Sequence, residues 1–319
     1  MPATATAIAH PNIALVKYWG KRDRRLNLPA VPSLSVTLAP FETRTEVHWG
    51  ASADCFEING RLAEGDAADR VSTFLDLVDP NRPPVRIIST NNFPTAAGLA
   101  SSSSAFAALA LAATAAAGQS PAPAQLSTLA RQGSGSASRS LWGGFVTWSL
   151  GEQTDGSDSH GHPIADETQW DLRVLVALVS DEKKAVSSRE GMNRTQETSP
   201  LFSGWVESGP ADVVEAEHAV RTRDLERLGT VMEHSTMKMV GTMFSAQPAV
   251  VYMKPATVAV LHAVADLRSQ GVGAWTTMDA GPNVKVLTTP EDAPRVEAVL
   301  KQHVQTVHTL HVGGPARLV

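Results

Sequence analysis

Hydrophobic positions recur along the chain with two periods, and the points where one gives way to the other mark the expected elements. Residues 31–38 and 43–48 are rich in β-branched side chains and bounded by prolines, which predicts two strands. Residues 67–77 place apolar side chains at helical spacing, and residues 85–90 return to a strand that feeds a turn at Asn91-Asn92-Phe93-Pro94. Residues 101–117 predict a helix opened by serines and closed by Gly118. A loop at 119–124, a short helix from 126 to 132 and a strand at 143–150 follow, and then a polar connection at 152–162 without any period. Residues 172–180 predict a long buried strand. From about Asp181 the pattern turns more helical, with helices over 212–233 and 256–270 and closing strands at 284–288 and 306–312. These elements make the class α+β with mixed sheets. A soft boundary near residue 181 divides the chain into 1–180 and 181–319.

Composition narrows the setting. The 319 residues suffice for one large domain or two moderate ones sharing a cleft, and 43% hydrophobic residues fill a core without help from cross-links. Cys55 is the only cysteine, which excludes an intrachain disulfide and a Cys-based zinc site and points to a reducing compartment. Net charge is −5, and the cluster Lys21-Arg22-Asp23-Arg24-Arg25 is too short and interrupted for a nucleic-acid footprint, though it suits a compact anionic ligand. Residues 1–10 lack the pattern of a signal peptide, and the longest apolar run, 105–117, is too short to span a bilayer. The expectation is a cytoplasmic protein with neither nucleic acid nor membrane as partner.

Five segments carry candidate chemistry, each with a bland alternative. Pro94 to Ser104 (PTAAGLASSSS) sits between a strand and a helix, where small residues admit close approach and a helix amino terminus presents free N–H groups to an anion. It is not a Walker A loop, and the same features describe an ordinary capped helix behind a tight turn. Lys17 and Lys21 flank Tyr18, Trp19 and Gly20, offering point charges for phosphate or simply a strand end with solvated lysines. Gly133 to Ser140 (GSGSASRS) holds Arg139, a bidentate fork for a carboxylate or phosphate, within what is otherwise a flexible turn. Asp279 in Met278-Asp279-Ala280-Gly281-Pro282-Asn283 reads as a turn aspartate or as a catalytic carboxylate near a substrate hydroxyl. Residues 181–192 suit a mobile loop closing over an anionic substrate, or a solvated loop. His160 and His162 lack an accompanying carboxylate cluster and are set aside as metal ligands, and His303, His308 and His311 read as structural or exposed.

Taken together and in order, NIALVKYWGKRD (12–23), NNFPTAAGLASS (91–102), GSGSASRSLWGG (133–144), VSSREGM (186–192) and MDAGPN (278–283) resemble the diphosphomevalonate decarboxylase family of the GHMP kinase superfamily, over about residues 6–315. The resemblance implies a GHMP kinase fold: a first half like ribosomal protein S5 domain 2, a ferredoxin-like second half and the active site in the cleft between. It further implies ATP with Mg²⁺, diphosphomevalonate as substrate, and a homodimer. By the same resemblance, Asp279 is the catalytic aspartate aimed at the substrate's 3-hydroxyl, Lys17 stands beside it, and Arg139 holds the C1 carboxylate. Tyr18, Lys21, Ser136 and Arg189 contact the diphosphate, with Arg70 a weaker candidate. Trp19, Gly20, Ser134, Gly135, Ala137, Ser138 and Ser188 complete the substrate loops. Asn12, Ala97, Gly98, Ser101, Ser102, Ser103, Ser104 and Lys183 fall to the nucleotide, with Ser102 reaching magnesium through the ATP phosphates. Three departures bear on fine substrate preference: Ser138 replaces a cysteine, Ser103-Ser104 a more alanine-rich pair, and Met278 a common phenylalanine. The implied reaction is ATP-dependent decarboxylation to isopentenyl diphosphate, ADP, phosphate and CO₂ in the mevalonate pathway. Competing readings are a phosphomevalonate decarboxylase, a mevalonate 3-kinase and, in another class, an inactive nucleotide-binding scaffold. Retention of both Lys17 and Asp279 favours the decarboxylase.

Overall fold

A computed structural model of the chain describes residues 4–93, 101–182 and 184–319. It opens with β1 (Thr4–Ala9) and β2 (Asn12–Val16), a small ribbon of β3 (Lys21–Asp23) and β4 (Leu28–Pro29), then β5 (Ser33–Ala39) and β6 (Thr43–Trp49). β7 (Cys55–Ile58), β8 (Arg61–Leu62), α1 (Asp66–Val78) and β9 (Val85–Asn91) follow, and then α2 (Ser101–Ala116) and α3 (Pro123–Gly133). A 3-10 turn (Gly135–Ser138) leads to β10 (Phe145–Trp148), β11 (Gly161–Ala165) and β12 (Arg173–Leu178). The remainder carries α4 (Ser188–Thr198), α5 (Phe202–Thr222), α6 (Leu225–Phe244) and α7 (Pro255–Ser269). Last come the hairpin β13 (Ala274–Met278) and β14 (Val284–Thr288), α8 (Ala293–Leu300), β15 (Thr306–Val312) and β16 (Arg317–Leu318).

Two sheets organise these elements. One has six strands in the order β16-β1-β6-β9-β7-β8, antiparallel except between β7 and β9. The other runs β11-β10-β5-β15-β12-β14-β13, with β2 also paired to β5. β5 is the joint: it bonds to β2, to β10 and, through Leu38 and Ala39, to β15 near the carboxyl terminus. Its sequence alternates Ser33, Ser35 and Thr37 with Leu34, Val36 and Leu38, the pattern of a half-solvated strand. All seven residues are nonetheless buried, so the polar face points into the protein. β12, on the amino-terminal side of the boundary expected near 181, pairs with β14 and β15 on its two edges.

The core explains the apolar run at 172–180. β12 sends Val174 and Val176 into one hydrophobic cluster and Leu175 and Ala177 into another, because both of its faces are covered. The first cluster is closed by α5 and α6, the second by α6, α7 and α8. A third lies between the six-stranded sheet and α1 and α2, where the alanines of α2 let the helix lie close on β1 and β6.

Two expectations need correction, and one strand was not expected at all. The single helix predicted at 212–233 is two, α5 and α6. Arg223 adopts a left-handed conformation (φ 57°) that ends α5, and Asp224 caps α6 by accepting from the Arg227 N–H at 3.0 Å. Periodicity carries across such a break because both helices bury the same cluster, and arginine is a rare left-handed cap. The loop expected at 181–192 is half helix: Ser187 accepts from the Glu190 N–H at 3.1 Å and starts α4. β13 goes unannounced because its five residues, buried on both faces, show no apolar–polar alternation.

α6 meets β13 at one tight contact. A Cβ added at Gly229 would stand 2.1 Å from Trp275 Cγ, so the helix approaches the indole only because this position is bare. Gly229→Ala gains helix propensity but should still lower stability, by about 1–3 kcal/mol, through overpacking. Urea denaturation checks this: a lower midpoint is expected, and an unchanged or raised one would show that the indole yields freely.

Candidate active site

β2 ends at Val16, and the next residue turns a lysine inward: Lys17 is 1% exposed. Its backbone N–H donates to Ser235 Oγ of α6 at 3.0 Å, and its Nζ donates to Ala14 O at 2.7 Å and to Asp279 Oδ1 at 3.0 Å. Asp279 stands in the turn after β13 and keeps 28% of its side chain exposed. Its other oxygen lies 3.6 Å from Nζ of Lys285, which β14 carries opposite Thr277. Burial by itself raises the Asp279 pKa, but the charges of Lys17 and Lys285 outweigh it and hold the carboxyl below the usual carboxylate range. Burial lowers Lys17 to about 8; Asp279 opposes that shift, and Lys285 and Arg139 add to it. Lys184 reaches the same turn, donating to Ala280 O at 2.6 Å and to Ser188 Oγ at 2.9 Å.

Arg139 follows the 3-10 turn and lies across the buried polar face of β5. It donates to Ser35 Oγ at 3.0 Å, to Ser33 Oγ at 2.7 Å and to Asn12 Oδ1 at 3.2 Å, with its guanidinium 5.6 Å from the Trp148 ring centre. These hydrogen-bond partners are all neutral, so the guanidinium keeps its charge for an incoming anion. Burial lowers its pKa to about 10, which leaves it cationic at neutral pH.

Beside it is a second cationic group. Tyr18 packs on Trp148 (ring centres 4.8 Å apart), and burial pushes its phenol above the ordinary value. The Tyr18 hydroxyl is buried without a hydrogen-bond partner among the described residues, the condition of a group awaiting a ligand. Lys21 is buried, and that burial, with the charges of Arg189, Arg70 and Arg24, lowers it to about 8. Arg70 donates to Gly133 O at 2.8 Å and covers the Phe106 ring, and burial lowers it to about 10. Ser134 Oγ lies 3.2 Å from Ser102 Oγ and 3.4 Å from Ser136 Oγ, so the start of α2 and the 3-10 turn share one row of hydroxyls.

This geometry can hold a molecule bearing a carboxylate, a hydroxyl and a polyanionic tail. Comparisons with known proteins agree. A family model described as the diphosphomevalonate decarboxylase-like N-terminal domain matches residues 9–161, and one for the mevalonate 5-diphosphate decarboxylase C-terminal domain matches residues 174–313. The diphosphomevalonate decarboxylase of Gibberella zeae is 38% identical over 327 residues, covering 95% of this chain and 85% of that protein. The chain belongs to the diphosphomevalonate decarboxylase family. The mevalonate diphosphate decarboxylase structure from Staphylococcus aureus has a TM-score of 0.94 at 35% identity, across 100% of this chain and 98% of that one. A structure in complex with MVAPP, AMPPCP and magnesium gives 0.93 at 38% identity, across 99% of each chain. The fold is therefore the α+β GHMP kinase fold.

Within this decarboxylase fold, the residues expected at the site separate into two sets. Lys17, Asp279, Arg139, Tyr18, Lys21 and Arg70 bring charge or an open hydroxyl together, with Ser134, Ser136 and Ser102 beside them. Others hold the frame. Trp19 sits in the core, its carbonyl accepting from Trp205 Nε1 at 3.0 Å. Gly20 has φ 90°, and a Cβ there would meet Phe202 at 2.4 Å. Gly135 lies against Tyr18 and Trp148, Ala137 is fully buried, and Ser138 Oγ donates back to Gly135 O at 2.8 Å. Ser103 and Ser104 are fully buried and bond inward, Ser103 Oγ accepting from the Asn12 N–H and Ser104 Oγ lying 2.6 Å from Thr43 Oγ1. Their side chains therefore turn into the protein, whereas Ser101 is half-buried and Ser102 exposed. Asn12, expected at the nucleotide, instead meets Arg139, donating to Ser136 O at 2.9 Å and Ser140 Oγ at 2.7 Å. Arg189 is exposed on the first turn of α4, and Ser188 accepts from Lys184. Ala97, Gly98 and Lys183 lie outside the described residues.

Sequence reasoning missed Ser33, Ser35, Asn27, Lys184 and Lys285. A charged residue between two valines of a short strand is the one signal that could have raised Lys285. The cluster predicts opposite shifts in two variants. Lys285→Met removes a positive neighbour, so the Lys17 titration should move up from about 8; Asp279→Asn removes the opposing negative charge and should move it down. NMR titration of ¹³Cε-labelled lysine reads both, and shifts of the same sign would show that the three groups do not form one cluster.

Proposed function

We propose that this chain performs the family's full reaction: ATP-dependent decarboxylation of (R)-5-diphosphomevalonate to isopentenyl diphosphate, ADP, phosphate and CO₂. The observation that carries it is the Asp279 carboxylate held between Lys17 and Lys285, with Arg139 within electrostatic reach of Lys17, and Tyr18 within reach of both Arg139 and Arg189, the arginine that also acts on Lys21. ATP and magnesium are the co-substrate and its ion. Residues 1–180 supply the nucleotide and substrate loops, and residues 181–319 the closing segment and the aspartate. The hydroxyls of Ser101 and Ser102 at the amino terminus of α2 suit phosphate oxygens and a hard cation. When bound, the magnesium ion neutralises charge on the transferring phosphoryl group.

The substrate's tertiary alcohol is hindered and weakly nucleophilic, so it must be oriented. Asp279 does this by accepting a hydrogen bond from the 3-hydroxyl. A carboxylate held below its usual range is a weak base, which suits phosphoryl transfer because a loose transition state demands the alcohol's proton only late. Lys17 places its charge at the same oxygen and steadies the phosphoryl group in transit. Once C3 carries phosphate, the C3–O bond breaks, and the electron pair of the C1–C2 bond becomes the C2–C3 double bond as CO₂ leaves. Arg139 holds the C1 carboxylate in line for that step, and its neutral partners Ser33, Ser35 and Asn12 fix its direction. Tyr18, Lys21, Ser136 and Arg189, with Arg70, take the diphosphate, Ser188 shares the closing segment with Arg189, and Lys183 serves the nucleotide.

The protein acts in the cytoplasm as a homodimer, a reading supported by the family resemblance. No described helix is long and apolar enough to cross a membrane. Purified protein with MgATP and the 5-diphosphate should release ADP and CO₂ in equal amounts; ADP without CO₂ would make it a 3-kinase. Asp279→Asn should cut turnover by roughly 10²–10⁴-fold while MgATP binding persists, and near-normal turnover would remove Asp279 from the chemistry. Arg139→Lys should weaken substrate binding and turnover together, because an ammonium cannot span Ser33, Ser35 and a carboxylate at once. If ATP affinity fell while substrate affinity held, Arg139 would belong to the nucleotide.

A further inference from the structure

Lys21 is anchored without a counter-charge. Its Nζ donates to Asn27 Oδ1 at 2.5 Å, and no carboxylate among the described residues forms an ion pair with it. Asn27 is buried, sits in a left-handed turn (φ 52°) that asparagine tolerates, and donates through Nδ2 to Arg131 O at 3.2 Å and Gln132 O at 2.7 Å. Those two carbonyls belong to the last turn of α3, where no further helical N–H can reach them. The amide is oriented by this arrangement: its NH₂ must face the two carbonyls and its oxygen must face the lysine. Arg131 is itself pinned, donating to Leu26 O at 3.1 Å and to Gly156 O at 2.6 Å. The negative end of the α3 dipole is thus relayed through one neutral amide to the Lys21 ammonium.

We infer that Asn27 is a positioning residue for the diphosphate site, fixing the Lys21 ammonium against the end of α3 while leaving its whole charge available to a diphosphate tail. This rests on the function proposed above. An aspartate of the same shape would grip the lysine harder but cancel it, and would turn an acceptor toward the Arg131 and Gln132 carbonyls that the amide now satisfies. The neighbours make the neutral choice consequential. Arg70 from α1 and Arg189 from α4 face Lys21 with like charge, whereas Arg24 on its own segment is already paired with Glu197 at 2.5 Å. The nearby Asp23 carboxylate is turned to the Leu26 N–H at 2.7 Å. The cluster therefore has surplus positive charge, and a ligand with two phosphates matches it better than one with a single phosphate.

The test compares Asn27→Asp and Asn27→Gly, each alone and with Lys21→Ala. Readouts are steady-state kinetics with the 5-diphosphate under saturating MgATP, and calorimetric binding of inorganic pyrophosphate, which needs no turnover. Asn27→Asp should raise KM, and weaken pyrophosphate, by roughly tenfold with little change in kcat. It should also move the alkaline limb of kcat/KM upward, because a carboxylate raises the Lys21 pKa from about 8. Asn27→Gly, which keeps the left-handed turn, should weaken both less. In the Lys21→Ala background the Asn27→Gly effect should vanish, since Asn27 acts through the lysine, while the carboxylate of Asn27→Asp, which also repels the anion directly, should keep only a smaller effect. An unchanged KM and pyrophosphate affinity in Asn27→Asp, or the same losses with and without Lys21, would overturn the inference. Thermal melting and MgATP binding identify a variant that has not folded, and Asn27→Gly then decides. Wild-type protein that releases no CO₂ would sink the decarboxylase reading alone; Asn27-dependent pyrophosphate binding would still stand or fall by itself.

Discussion

One carboxylate faces two buried ammonium groups, and the rest of the site is arranged around that imbalance. Asp279 answers Lys17 directly and Lys285 at longer range, so the pocket has more positive than negative charge before any ligand enters. Burying charge is expensive unless each group is satisfied, and here the protein meets the cost with neutral dipoles. Ala14 O supports Lys17, two serines and an amide support Arg139, and Asn27 supports Lys21. Apart from the pairing with Asp279, these cations are steadied by groups that do not cancel them. Such a site is incomplete without a polyanion, and substrate supplies what the fold withholds.

The elements that converge on Asp279 come from distant parts of the chain. The residue after β2 is Lys17, β14 brings Lys285, and α6 lends Ser235 to the backbone of Lys17. β5 ties these regions together by bonding to strands from both ends of the sequence while its serines orient Arg139. Packing and chemistry therefore share residues: the strand whose backbone bonds align the sheet aims the guanidinium through its serine hydroxyls.

Much of this was legible in the sequence. Lys17, Arg139 and Asp279 stand in short ordered motifs, and the small-residue turn before β10 announced itself through composition. The strand at 172–180 was legible as buried because both faces are apolar. What stayed hidden has a common physical form. Ser33 and Ser35 alternate with leucine and valine as in any half-exposed strand, so nothing local shows that the polar side faces inward. Asn27 looks like a turn residue, which it also is. Asn12 was placed with the nucleotide, yet its amide lies against Arg139, because adjacency in a motif does not say which way a side chain turns. Likewise, four consecutive serines appear equivalent on paper, whereas helical geometry sends Ser103 and Ser104 inward and leaves Ser101 half-buried and Ser102 exposed.

The buried polar face of β5 has a consequence for how the molecule matures. Side chains on a strand repeat every two residues, so a slip of one position would exchange the serines under Arg139 for Leu34 and Val36. A chain trapped in that arrangement would still be compact and rich in sheet, yet its guanidinium would face hydrocarbon. Activity would then vanish rather than decline. In a refolding mixture, the enzyme should therefore be a count of correctly registered molecules, with no partially active population to blur it.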